Sequence, residues 1–181
     1  MKGAAALAKG FPGLITLVVP SNRIGDEGAA ALATSFPALT TLNVHVRENS
    51  IGAKGAAALA KGYLSLTTLD VGHSSIWSKG AAALAKGFPS LTDLSVGTNS
   101  IGDGGAAALT AGFPALIILH AGWNSIGPEG AAVLAAGFPA LTALGMRGNS
   151  IGAEGAAALN ARVALNARVA LEGLDVKCTR P

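Results

Sequence analysis

The chain has 181 residues, a net charge of +3, and 13% charged residues against about 25% in an ordinary globular domain. The charge excess is small and forms no run of like charges, so composition does not favour nucleic acid or an anionic membrane as a partner. Cys178 is the single cysteine, which excludes an intrachain disulfide and a zinc site built on several cysteines.

An internal repeat dominates the sequence. Isoleucines recur with a period of about 25 residues, and the first interval is slightly longer than the others. A fixed period of this size indicates a solenoid of stacked units rather than one large core. Much of the 50% hydrophobic content is alanine, which suits many thin layers. The aligned isoleucines are Ile24, Ile51, Ile76, Ile101, Ile126 and Ile151.

Each unit opens with a strand-like phrase. The fourth unit reads Leu91, Leu94, Val96, Asn99 and Ile101, which is the pattern L-x-x-L-x-V-x-x-N-x-I. Alternation at the second leucine and the valine predicts that these two side chains face the core while the residues between them face outward. The recurring asparagines are expected to form an internal hydrogen-bond ladder, with Ser74 as the exception.

The second phrase of each unit, "GAAALAKG" and its variants, predicts a short helix. Acidic residues near its start, such as Asp26 and Asp103, suit the helix dipole. A glycine closes most of these helices, with Ser35 before Phe36 as the exception, and is expected to adopt a left-handed cap. The residue after that glycine is aromatic and predicts a buried spine. The closing glycines are Gly10, Gly62, Gly87, Gly112 and Gly137, and the aromatics are Phe11, Phe36, Tyr63, Phe88, Phe113 and Phe138.

The repeated phrases "NSIGAKGAAALA", "NSIGDGGAAALT", "NSIGPEGAAVLA" and "NSIGAEGAAALN" resemble leucine-rich repeats. The motif is similar to the ribonuclease-inhibitor-like class, and within it to the GALA repeats of bacterial type III effectors. The resemblance implies a right-handed α/β solenoid with a parallel sheet on the concave face and helices on the convex face. GALA effectors join such repeats to an F-box, for which this chain has no room, because Gly3 already aligns inside a helix.

We expect one leucine-rich-repeat domain over residues 1–181, with six to seven repeats of about 25 residues. The last helix is predicted over 154–170 and the last strand over 171–176. The segment "NARVAL" is duplicated between them, and we assign it no function. Two departures lie earlier: "HVRENS" lengthens one connection by two residues, and the third unit carries Leu64, Ser74 and Trp77 at positions where most other units have Pro, Asn and Gly.

Because the framework repeats, the outward-facing strand positions are where a function is free to reside. All three histidines and one of the two tryptophans fall on or beside this face. Aromatic and polar side chains on a rigid surface are typical of protein recognition. Drift of exposed positions is the alternative explanation. The predicted partner-binding residues are Asn43, His45, Asp70, His73, Asp93, Ser95, Thr98, His120, Trp123 and Arg147.

Catalysis, a metal site and a cofactor are not predicted. Asp70, Asp93, His73 and His120 lie on different units, and no ligand spacing within one element supports a metal site. An open sheet also lacks the pocket that shifts pKa values at catalytic residues. The predicted function is therefore a non-catalytic protein-interaction module.

Three other interpretations of the function stay open. In the first, the chain is the recognition arm of a GALA-like effector or ubiquitin-ligase adaptor whose F-box lies outside it. In the second it is a GTPase-regulating repeat protein, and in the third a partial copy without a selected partner.

The ends and the hydropathy of the chain lead to two further expectations. The start is too briefly apolar for a signal peptide, and the uncharged stretch 104–128 is interrupted by Gly112-Phe113-Pro114. We therefore expect a protein of the cytoplasm, or of a host cytoplasm if it is an effector. The uncovered strand with Leu14, Leu17 and Val19 predicts self-association through the N-terminal end.

Overall fold

The computed structural model describes residues 10–44, 49–165 and 170–172, the last three and 163–165 by their backbone alone. Seven three-residue strands form one parallel sheet in sequential order. They are β1 Thr16–Val18, β2 Thr41–Asn43, β3 Thr68–Asp70, β4 Asp93–Ser95, β5 Ile118–His120, β6 Ala143–Gly145 and β7 Ala170–Glu172. Six helices alternate with them: α1 Gly25–Ser35, α2 Ala53–Gly62, α3 Trp77–Leu84, α4 Gly102–Thr110, α5 Pro128–Gly137 and α6 Gly152–Leu165.

This alternation produces the predicted solenoid, because each strand and each helix contacts its equivalent in the next repeat. Strands of a sheet lie about 4.8 Å apart, whereas packed helices need about 8–10 Å. The sheet therefore occupies the inner, concave side of the stack. Successive strands pair at the period of the repeat, and the steps from Thr41 to Thr68 and from Ala143 to Ala170 are each two residues longer than the others.

The core lies between sheet and helices and repeats with the sequence. The central leucine of each strand from β2 to β6 is buried, as are the isoleucines from Ile51 onward. The aromatic spine is confirmed for five members, from Phe36 to Phe138, each at most 1% exposed. It is wrong for Phe11, which is 58% exposed, because within the described residues β1 has a neighbouring strand on one side only.

The asparagine ladder is confirmed. The Asn124 side-chain amide donates hydrogen bonds to the carbonyl oxygens of Val96 and Ala121, both within 3.1 Å. Its Oδ1 accepts the backbone N–H groups of Asn99 and, at 3.4 Å, Ile101. Each ladder asparagine thus hydrogen-bonds backbone groups of its own repeat and of the preceding one, and these bonds hold adjacent repeats in register.

The glycines that close the helices from Gly62 to Gly137 serve a different purpose from the one expected, whereas a Cβ at Gly10 would meet no atom within 4 Å. None of them has a positive φ; instead, a Cβ on Gly112 would lie 2.2 Å from the backbone oxygen of Ala85. Close approach of neighbouring repeats requires glycine here. At the same phase the last repeat carries Arg162, whose guanidinium donates to the carbonyls of Ala135 and Phe138 at the end of α5. Burial lowers the pKa of Arg162.

Helix α6 continues past Arg162 to Leu165, and residues 166–169 lie outside the described part of the chain. The predicted boundaries at this end need correction. Ala170, expected to end the last helix, instead begins β7, and Leu171 of the expected strand 171–176 pairs with Leu144. The step from Leu144 to Leu171 equals the one that the sheet already uses from Leu42 to Leu69. Pairing through Leu174 would require a step three residues longer still.

Candidate functional site

The outward-facing side chains of the strands form rows that cross the sheet, because the register places equivalent positions side by side. One row contains Thr16, Thr41, Thr68, Asp93, Ile118 and Ala143, and a second contains Val18, Asn43, Asp70, Ser95, His120 and Gly145. Beyond the strand ends, a third row contains His73, Thr98, Trp123 and Gly148. We call these three rows together the concave face.

The third row is part of the repeat and not a loose loop. The backbone N–H of His73 donates to Gly97 at 2.9 Å, that of Thr98 to Gly122 at 2.9 Å, and that of Trp123 to Arg147 at 2.7 Å. All members of this row have φ between 53° and 71°. The fold therefore holds Trp123 in a left-handed backbone conformation that the stack imposes on each member of the row.

Nine of the ten predicted binding residues lie on or beside this face, and His45 lies outside the described residues. Their exposure divides them into two groups. Asn43, Asp70, His73, Asp93 and Ser95 are partly buried, whereas the group further along the stack is exposed. That exposed group is Thr98, His120, Trp123 and Arg147.

The first part of the face, on β2 to β4, is polar. Asn43, Asp70 and Ser95 are neighbours in register, and Asp70 Oδ1 accepts the backbone N–H of Gly72 at 2.9 Å. Asp93 is not opposite Asp70; it pairs with Thr68 on one side and Ile118 on the other. Within the described ranges, no three histidine, cysteine or acidic residues come close enough to hold a metal ion.

Repeat five replaces polar side chains with apolar ones at several exposed positions. Thr67 and Thr92 each donate a side-chain hydrogen bond to the preceding repeat, within 3.2 Å, but Ile117 stands at the next such position and is 40% exposed. Ile118 follows it in register with Asp93, and Trp123 is 59% exposed. We call Ile117, Ile118, His120 and Trp123 the β5 ridge.

The outward-facing residues of repeat six have correspondingly small side chains. Opposite the ridge lie Ala143, Gly145 and Gly148, which we call the β6 trough. A methyl group at Gly148 would lie 2.3 Å from Cδ2 of the Trp123 indole, and one at Gly145 would lie 3.0 Å from Nδ1 of His120. The indole and imidazole therefore lie over glycines of the next repeat; a Cβ at Gly148 would overlap the indole, whereas one at Gly145 would require the imidazole to shift slightly.

Arg147 borders the trough. It occupies the position that is glycine in the three preceding repeats, at Gly72, Gly97 and Gly122. Its side chain is exposed and its backbone oxygen receives the N–H of Trp123. The ridge is thus bordered by a carboxylate at Asp93 and a guanidinium at Arg147, and the arrangement offers apolar contact with opposite charges on its two sides.

Comparison with known proteins identifies the scaffold. The family model described as Leucine Rich repeat matches residues 14–33, 38–60, 64–85, 89–109 and 139–159, together more than half of the chain. The chain belongs to this leucine-rich repeat family. No curated protein sequence matches it significantly. The GALA and ribonuclease-inhibitor-like subclasses therefore rest on the resemblance of the motifs alone.

Seventy-one chains of solved structures are similar to this fold. One is the yeast structure titled "Crystal structure of Rad7 and Elc1 complex in yeast", with a TM-score of 0.65 and 15% sequence identity. The alignment covers 86% of this chain and 41% of that one, so this chain spans less than half of its length. At this identity the similarity concerns the fold.

The β5 ridge falls between the matched segments, since no segment covers residues 110–138. The strand of repeat five thus keeps the register of the solenoid while its exposed residues depart from its neighbours. The predicted set missed Ile117 and Ile118. The threonines that precede them at the same phase were the signal, because a polar residue repeated at one phase makes an isoleucine there conspicuous.

No helix among the described residues is long and apolar enough to cross a membrane.

Proposed function

We propose that this chain is a non-catalytic protein-interaction module that binds a partner protein through its concave face. The observation that carries the proposal is the β5 ridge. Ile117, which precedes β5, and Trp123, which follows it, are 40% and 59% exposed at a strand that keeps the register of the sheet. Binding energy at protein interfaces concentrates in a few aromatic and apolar anchors surrounded by polar contacts.

The rigid scaffold supports this role. Asn99, Asn124 and Asn149 donate and accept the inter-repeat hydrogen bonds beneath and beside the ridge. A preorganised surface loses little conformational entropy on binding, which leaves more of the contact energy as affinity. Leucine-rich repeats also serve commonly as interaction scaffolds for unrelated partners, so the specificity resides in the exposed residues.

A quantitative pull-down from cell lysate tests the proposal. The bait chains are wild type, the ridge variant Ile117→Thr/Ile118→Thr/Trp123→Ala, and the helix-face control Lys54→Ala/Lys86→Ala. Both lysines are exposed on the convex side, so the control changes surface charge without changing the concave face. We expect a protein that is retained by wild type and control and lost by the ridge variant. Equal retention by all three baits would contradict the proposal.

An adaptor role is the second candidate. Two observations favour it: the GALA-like phrases of the repeat, and a solved structure of similar fold that is, by its title, a complex of two proteins. In this version the concave face recruits a substrate to a ubiquitin ligase through an F-box encoded elsewhere in a longer chain. Sequencing the parent gene upstream of residue 1 distinguishes the two versions.

Self-association is a further proposal that rests on the edge strand β1. Phe11, Ile15 and Val18 are each about 60% exposed there, and in the part of the chain that the structure describes β1 pairs only with β2. Unpaired apolar edges favour pairing with a second chain. Light scattering at increasing concentration is expected to show a dimer that Val18→Lys abolishes, whereas a wild-type chain that stays monomeric would contradict this proposal.

A further inference from the structure

The chemistry of the concave face changes along the stack in a fixed order, and this order constrains the partner. Strand β4 presents the carboxylate of Asp93, the β5 ridge presents apolar side chains, and the far border of the β6 trough presents Arg147. The structure gives Asp93 and Arg147 no side-chain hydrogen bond or ion pair to another described residue, and Arg147 is exposed.

The distance between the two charges sets the length of the complementary segment. Adjacent strands lie about 4.8 Å apart and an extended chain rises about 3.3 Å per residue. Asp93 pairs in register with Ile118, and Ile118 pairs with Ala143 two strands away from Asp93. Arg147 follows Ala143 by four residues along the chain. Because β6 ends at Gly145 and Arg147 lies in the turn that follows, the separation across the ridge is at most on the order of 16 Å, the length of about five extended residues.

We propose that the partner presents an extended segment with a basic residue, a bulky apolar residue, and an acidic residue about five positions from the basic one. The basic side chain pairs with Asp93, the apolar side chain packs on Ile118 and Trp123 above the trough, and the acidic side chain pairs with Arg147. This inference rests on the proposed function of the concave face.

Shape agrees with this order. Ala143, Gly145 and Gly148 place no large side chain on β6, so a bulky residue of the partner has room beside the ridge. The rings of His120 and Trp123 lie over the two glycines and form the bottom of that space. A side chain seated there loses its contact with water on two sides, which is the environment in which an apolar anchor contributes most.

Charge complementarity at the border of an interface acts mainly on partner choice and association rate. The proposal therefore predicts a preference for charge order in addition to charge content. A peptide with the same residues and its two charges exchanged would place like charges against Asp93 and Arg147, and we expect it to bind at least tenfold more weakly.

The test uses the full chain and a displayed library of random peptides of about 12 residues, long enough when extended to span about 40 Å. Peptides retained by wild type are counter-selected on the variant Ile117→Thr/Ile118→Thr. Its threonines are those that the chain itself carries at Thr67 and Thr68, so the variant preserves the frame. Retained peptides are synthesised in both charge orders and their affinities are measured by titration.

Enrichment of the order basic, apolar, acidic is the expected result, with at least tenfold weaker binding to Trp123→Ala and to Arg147→Glu. Exchanging the acidic residue of the peptide for arginine is expected to restore binding to Arg147→Glu. That reciprocal rescue is not expected from a variant that is merely unfolded.

Three results would overturn the inference. Peptides that require Trp123 but ignore charge order and Arg147 would refute it while leaving the proposed function intact. A selection in which every peptide retained by wild type also binds Ile117→Thr/Ile118→Thr, so that none survives the counter-selection, would contradict both. A wild-type chain that dimerises in light scattering, with the ridge variant monomeric, would assign the ridge to a second copy of the chain instead.

Discussion

Repeats three and five, residues 63–87 and 113–137, both depart from the common pattern, but in different layers of the structure. Repeat three changes the frame: Ser74 stands where its neighbours have asparagine, and Trp77 has a φ of 51° where Gly102 has 60°. Repeat five keeps Asn124 and Gly127 and changes the exposed surface. The frame determines whether the repeats stack, and the surface is free to vary without disturbing the stack.

The two tryptophans illustrate this difference. Trp77 is 55% exposed and begins α3 in a left-handed conformation that glycine adopts in three other repeats, Gly25, Gly102 and Gly152. Trp123 is exposed to a similar extent, yet its conformation is shared by the equivalent residues of its neighbours and its ring lies over Gly148. Both tryptophans have a positive φ, but non-glycine residues share the conformation of Trp123 in neighbouring repeats, whereas the residues that share the conformation of Trp77 are glycines.

The largest expected effect comes from breaking the frame of repeat five. Asn124→Ala removes the group that joins five backbone partners in two repeats and leaves buried polar atoms unsatisfied. We expect the free energy of unfolding to fall by about 2–4 kcal/mol in urea denaturation followed by circular dichroism. Asn160→Ala, at an exposed position of α6, is the matched control and should be near neutral. A loss for Asn124→Ala no greater than that of the control would refute the structural role of the ladder.

A second frame feature of repeat three is sensitive to pH. Tyr63 is the single tyrosine; its hydroxyl donates to the carbonyl of Leu32 in the last turn of α1 at 2.7 Å, and burial raises its pKa. Because the folded pKa lies above the unfolded value of about 10, this group stabilises fully below about pH 10 and loses its contribution as pH rises further.

We therefore expect Tyr63→Phe to cost about 1 kcal/mol at neutral pH and to flatten the fall in stability above about pH 10. Denaturation at several pH values measures both effects, and the absorbance of tyrosinate in wild type reports Tyr63 directly. A tyrosine that titrates near its unfolded pKa of about 10 in the folded chain would contradict this expectation.

Restoring the ladder asparagine in repeat three is expected to raise the free energy of unfolding. In its neighbours the equivalent amide donates to the carbonyls of its own strand end and of the preceding one, as Asn99 does to Val96 and Val71. Ser74 is buried and reaches only as far as Gly72. Ser74→Asn should raise the free energy of unfolding by about 1 kcal/mol. Unchanged or lower stability would indicate that repeat three has no room for the longer side chain.

The smallest expected effect is on the surface of repeat five. Ile117→Thr restores the side-chain hydrogen bond that Thr92 and Thr142 make at the same phase, and it removes a partly exposed apolar group. Stability should change by no more than about 0.5 kcal/mol. Binding of a concave-face partner should nevertheless weaken, so that stability and binding separate. A large loss of stability would place Ile117 in the frame and not on the binding surface.

The repeat period of the sequence was sufficient to predict the solenoid, because a short fixed period requires that each unit bury its apolar side against the next. Phe36 and Asn99 at fixed phases were sufficient to predict the spine and the ladder. Most of the concave face was also predictable, since alternation along a strand assigns each residue to one side of the sheet.

The tertiary structure was needed to establish which residues of adjacent repeats are neighbours. Only the register placed Asp93 next to Ile118 and away from Asp70, and only the packed repeats placed the rings of Trp123 and His120 over Gly148 and Gly145. Periodicity fixes where a residue lies within its own repeat. The direction in which its side chain points depends on the size of the side chain at the equivalent position of the next repeat, and therefore on a pair of positions one repeat apart.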